Sequence, residues 1–99
     1  MKVNFEQALE GLDRKPLMDG ETPVTLGAVA VNALMTPMEG DDKLTGDDKL
    51  AHWLLAGRIQ NATGPLDITP EEATKIKDRI GRGFAPAVVG PAFIILNGS

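Results

Sequence analysis

Apolar residues gather along this chain in dense runs separated by charged, glycine-containing stretches, and each run brings its own boundary signals. Thr25 offers an N-cap to the run Leu26 to Met35, which stops where Pro37 disfavours helical geometry at Thr36. The run is apolar nearly all round and predicts a buried helix, although Val29 and Val31 would also suit a strand. A second helix is predicted from about Asp47 to Asn61, with Thr45 and Asp48 at capping-box spacing and Asp47 and Asp48 in the first turn, where the helix dipole favours anions. Its broad apolar face holds Ala51, Leu54, Leu55, Arg58, Ile59 and Ala62, with Leu50, Trp53 and Gly57 beside it, so it is expected at the centre of the core. Thr63-Gly64-Pro65 ends that helix, and Leu66-Asp67-Ile68 reads as a short extended link.

Thr69-Pro70-Glu71-Glu72 is the sharpest local signal: an N-cap, a proline at the first helical position and a glutamate closing the capping box. Ala73, Ile76 and Ile80 then form a buried stripe, with Phe84 just past it, while Lys75, Lys77, Asp78, Arg79 and Arg82 are expected to face outward and Gly81 and Gly83 to break the helix. The last run, Pro86 to Leu96, reads as a fourth helix bounded by Asn97-Gly98. Pro91 lies past its first turn, which predicts a kink or a later start at Gly90. Val88, Val89, Phe93, Ile95 and Leu96 are expected to close the core. Before all of these, Val3 to Val24 is punctuated by Gly11, Pro16, Gly20 and Pro23 and reads as a weak hairpin, with a helical turn over Glu6 to Glu10 as the alternative. The expected fold is mainly α: one domain over residues 1–99, irregular or hairpin to about 24 and helical from about 25 to 98.

Composition narrows the function classes. A chain of 99 residues buries roughly 60 to 70% of its unfolded surface, one modest core that argues against a cofactor-rich enzyme. Having no cysteine, it lacks disulfides, thiolate zinc ligands and a thiol nucleophile, which suits a reducing compartment. The opening Met1-Lys2-Val3-Asn4-Phe5-Glu6 turns acidic before any run of signal-peptide length, and no stretch approaches the roughly 20 apolar residues of a membrane span, so the cytosol is expected. The sequons at Asn61 and Asn97 are then accidental. Net charge is -4, concentrated in residues 1–50, where five Lys/Arg face ten Asp/Glu. That distribution disfavours binding along a phosphate backbone and suits a basic partner surface.

Candidate chemistry is sparse. Gly-Asp-Asp-Lys-Leu occurs twice, at Gly40 to Leu44 and at Gly46 to Leu50. A calcium loop counted from Asp41 places Gly46 sixth, but Lys43 falls third and His52 twelfth, so the ligand charge fails and a solvated acidic loop is the better reading. His52 is the only histidine and Ser99 the only serine, so neither a zinc site nor a serine elbow can be built. Trp53, the only tryptophan, is expected in the core or at its edge, with an exposed interface anchor as the alternative. Lys75, Arg79 and Arg82 form a short basic ridge at helical spacing, a faint nucleic-acid signal diluted by Glu71, Glu72 and Asp78. Gly81-Arg82-Gly83 is no dinucleotide fingerprint, and the adjacent carboxylate pairs diverge, so no cofactor site or catalytic constellation is expected.

The series Leu26, Val29, Asn32-Ala33-Leu34, then Leu44-Thr45-Gly46-Asp47-Asp48-Lys49, Leu55-Ala56, Ile59, Leu66-Asp67-Ile68-Thr69, Glu72, Ile76-Lys77 and Pro86, Val88-Val89-Gly90, Ala92, Leu96 resembles small proteins encoded by tailed phages and prophages. The resemblance spans about residues 10–98 and rests on core and cap positions, carrying no catalytic residues. It implies production in an infected bacterium's cytosol. The resulting expectation is a non-catalytic protein-binding accessory, an inhibitor or adaptor of a host protein, steered by Asp41, Asp42, Asp47 and Asp48 with Trp53 toward a basic surface. Alternatives are a nucleic-acid binder using Lys75, Arg79 and Arg82, and an assembly or virion component whose Val88, Val89 and Phe93 are covered by self-association.

Overall fold

Threonine oxygens open the first three helices of the chain. In a computed structural model describing residues 1–98, α1 (Leu26–Met35) begins where Thr25 Oγ1 accepts from the Ala28 amide at 3.2 Å. The second helix, α2 (Gly46–Gln60), and the third, α3 (Pro70–Gly83), each start with a closed capping box, Thr45 with Asp48 and Thr69 with Glu72. The fourth, α4 (Pro86–Gly98), has no threonine, and the Val88 and Val89 amides instead donate to the Ala85 carbonyl. Ser99, the end of the second sequon, lies outside the described residues. The mainly helical expectation holds, with four helices among the described residues and short strands ahead of them.

Those strands are β1 (Lys2–Val3), β2 (Met18–Asp19) and β3 (Thr22–Pro23), and β4 (Leu66–Asp67) follows between α2 and α3. β2 and β3 form the expected hairpin, Met18 opposite Pro23 and Asp19 opposite Thr22, with Gly20 at φ 65° supplying the left-handed turn position. Glu6 to Glu10 is not helical: Ala8 bridges Thr25, and the Leu9 amide donates to the Val24 carbonyl. The link at Leu66 is a strand with a remote partner, β1, in the antiparallel register Lys2 to Asp67 and Val3 to Leu66.

The core is centred on α1, not on α2 as expected. α1 packs on both α2 and α3, burying Leu26, Val29, Ala30, Ala33 and Leu34. The amino-terminal segment closes over its start, where the Leu26 and Gly27 amides donate to the carbonyls of Gln7 and Phe5. Gly27 is required there, because a Cβ would lie 2.9 Å from the Phe5 carbonyl oxygen. On α2 the buried face is His52, Leu55, Ala56 and Ile59, turned away from the expected one so that Leu54 is exposed. The apolar positions of α2 wrap more than one face, and only the neighbouring helix decides which is covered.

Ala73, Ile76 and Ile80 are buried as expected, but α3 continues through Gly81 to Gly83, because a glycine in helical geometry weakens a helix without ending it. α4 likewise starts at Pro86 and runs through Pro91 without the later start at Gly90. It buries Ala92 and Leu96, while Val88, Val89, Phe93 and Ile95 pack half-buried against the core. Lys77 ties α3 to α4: its Nζ donates to Asn97 Oδ1 at 2.6 Å and lies 5.3 Å from the centre of the Phe93 ring. No helix among the described residues is long and apolar enough to cross a membrane.

Candidate functional site

The carboxyl end of α1 has no basic residue of its own, and its last carbonyls are answered from α3. Arg79 is 2% exposed; its Nε donates to the Ala33 carbonyl at 3.0 Å and its Nη2 to the Thr36 carbonyl at 2.7 Å. The remaining fork is bidentate to Asp41, which also accepts from the Met38 amide at 2.8 Å. This pair pins the 3-10 turn Asp41–Lys43 against the junction of α1 and α3. Donation by Arg79 and then by the Met38 amide holds the Asp41 carboxyl down at about 2, against an ordinary 3.8.

Above the pair, a groove of about 450 Å³ opens between the end of α1, the turn and the first half of α2, lined by Met35, Pro37, Leu44, Lys49, His52 and Trp53. His52 is buried in its wall, and burial, followed by the charges of Arg79 and Lys75, pushes its pKa below the ordinary 6.5. Trp53 is 60% exposed, and Leu50 and Leu54, one turn before it and adjacent to it, are 51% exposed each. The favoured core placement of Trp53 is therefore corrected: α2 turns His52 inward, which leaves the tryptophan on the outer side, and half-exposed Met35 faces the same groove. Leu50, Trp53 and Leu54 follow one another at helical spacing, an apolar ridge left at least half exposed.

The expected acidic cluster divides into two kinds of residue. Asp41 is held by Arg79, and Asp48 closes the α2 capping box, accepting from the Thr45 amide at 3.0 Å, which lowers its pKa. Asp42 is exposed and lines the groove together with Lys49, whereas Asp47 and Lys43 are exposed but outside its lining. The basic ridge is not assembled either. Arg79 points inward instead of outward, Lys75 is half-buried, and Arg82 pairs with Asp78 at 2.9 Å and donates to the Glu39 carbonyl. The spacing is helical, but Arg79, three residues after Ile76 and one before Ile80, lies on the buried side.

Sequence reasoning missed the Arg79–Asp41 pair and the burial of His52. A signal for the first lay in α1, a helix ending without a basic residue or a glycine cap, whose carbonyls needed donors from elsewhere. Against known proteins the chain stands apart: no family model matches it, and no curated protein or solved structure is significantly similar.

Proposed function

We propose that this chain is a non-catalytic protein-binding accessory of the kind small phage proteins provide, an inhibitor or adaptor working in a bacterial host's cytosol, and that it docks through the ridge Leu50, Trp53 and Leu54 beside the Met35 groove. The observation that carries this reading is Trp53, exposed between two half-exposed leucines on α2. Tryptophan is enriched at binding hot spots, and a flat apolar ridge next to a groove suits a partner that inserts one apolar side chain. Asp42 at the rim favours a basic residue beside that side chain, so of the four aspartates the one that both lines the groove and is free of a structural partner is Asp42. A nucleic-acid role is the poorer fit, because Arg79, the middle of the ridge it needs, is buried and occupied.

The test places a photo-crosslinking amino acid at position 54 and, as a control, at exposed position 74 on α3. The expected result is a discrete crosslinked protein from position 54 alone, lost in the Trp53→Ala background while the thermal transition is unchanged. Equal crosslinking from both positions, or crosslinking that survives Trp53→Ala, overturns the reading.

A further inference from the structure

One buried polar side chain of the groove is left without a partner. The lining carries two aspartates, one lysine and one arginine, which balance in charge, and the innermost of them, Arg79 and Asp41, are spent on each other and on the neighbouring backbone. His52 is different: it is 7% exposed, and its imidazole makes no hydrogen bond among the described residues. No side-chain nitrogen or oxygen of those residues is both sealed from solvent and unpaired. The ring nitrogens of His52 therefore keep an opening to solvent, and the opening that this residue lines is the groove.

Whatever fills the groove displaces water from that imidazole. A wholly apolar side chain would cover the ring nitrogens and answer neither, leaving a buried polar group unpaired. A charged end group would enter where the ionic groups already cancel, and would lose its water without gaining a counterion. A neutral side chain with an apolar body and a polar tip meets both conditions. Met35, Pro37, Leu44 and Trp53 supply the apolar wall, where an aromatic ring gains offset stacking on the indole and contact with the methionine sulfur. For the tip, a hydroxyl fits best. Burial holds the His52 pKa below its ordinary 6.5, so at pH 7 the ring is mostly neutral, with one donor and one acceptor nitrogen. A hydroxyl both donates and accepts and so pairs with either tautomer, whereas an indole N–H only donates.

We infer that the groove receives a tyrosine side chain of the partner protein, its ring between Met35 and Trp53 and its hydroxyl hydrogen-bonded to the His52 imidazole. The inference rests on the proposed docking at this groove and names the residue that enters it. This chain contains no tyrosine, so a second copy cannot supply the occupant and the residue belongs to another protein. Asp42 at the rim then faces the residues flanking the tyrosine, which favours a lysine or arginine beside it.

The test titrates the full chain at pH 7 with N-acetyl-tyrosinamide and N-acetyl-phenylalaninamide, neutral probes that differ only in the hydroxyl. Because His52 is the only histidine, its ring nitrogens give a single pair of signals in nitrogen-15 NMR. The tyrosine amide is expected to shift them saturably and to bind about tenfold more tightly than the phenylalanine amide, the difference one hydrogen bond makes. His52→Phe is expected to bind the two amides equally, and His52→Gln, which keeps a donor and an acceptor, to recover part of the preference. Should the buried variants fail to fold in circular dichroism melts, Trp53→Ala, at an exposed position, is expected to weaken both amides while keeping the preference. Equal affinity for the two amides, no saturable binding of the tyrosine amide, unmoved His52 signals, or a preference that survives His52→Phe overturns the inference. Any of these alongside a crosslink from position 54 leaves the docking surface standing with a different occupant, whereas loss of that crosslink with the preference intact counts against the docking reading and leaves the groove's selectivity for a phenol.

Discussion

Every polar direction of the Arg79 guanidinium that reaches α1 or the turn is answered by a carbonyl or a carboxylate, and this makes the residue sensitive to any change. Arg79→Ala leaves Asp41 without its partner and strips donors from two carbonyls; a loss of about 3 to 5 kcal/mol of unfolding free energy is expected in urea titration. Arg79→Lys is expected to restore little of it, since an ammonium cannot make the fork. Acid sensitivity follows from the two depressed groups on the groove. For both, the folded chain binds its proton less readily than the unfolded chain, so stability rises with pH. The Asp41 contribution is complete above its ordinary 3.8 and is lost as pH falls toward about 2. The His52 contribution is complete above 6.5 and declines as pH falls below that value. Denaturation midpoints measured downward from pH 7 are expected to show the His52 decline first, with His52→Gln flattening that part of the curve and Asp41→Asn flattening the lower part.

At the scale of elements, two glycines separate close approach from tolerance. Gly27→Ala forces a methyl group against the Phe5 carbonyl and is expected to cost about 1 to 3 kcal/mol, whereas Gly57→Ala, with no atom within 4 Å of the added Cβ, is expected to gain up to about 1 kcal/mol. Differential scanning calorimetry of the two variants is expected to move the transition in opposite directions. The helices were legible because their starts are encoded locally, in Thr25, Thr45 and Thr69 and the acids that close two of the boxes. The β1–β4 pairing was not, since two-residue strands carry no periodicity and their partners stand more than sixty residues apart. The orientation of α2 was also hidden: Leu50, Trp53, Leu54, Leu55 and Ile59 are apolar on adjoining faces, and the choice between them belongs to α1. For the same reason the ordinary behaviour of each residue type predicts Trp53 inward and Arg79 outward, and the structure reverses both.

At the scale of the whole molecule, the α2 ridge of Leu50, Trp53 and Leu54 stands outside the buried core, so its loss is expected to leave folding intact. Trp53→Ala is expected to change unfolding free energy by no more than about 0.5 kcal/mol while abolishing crosslinking from position 54, a separation of binding from stability that denaturation and crosslinking check together. The dependence of α1 on Arg79 also has a meaning in time. During synthesis the apolar α1 leaves the ribosome long before residue 79 does, and until then its final carbonyls lack their donors and its buried face lacks α3. Nascent chains stopped between α2 and α3 therefore expose this helix to chaperones and to one another, and shortened products ending before Arg79 are expected in the insoluble fraction, with the full chain in the supernatant.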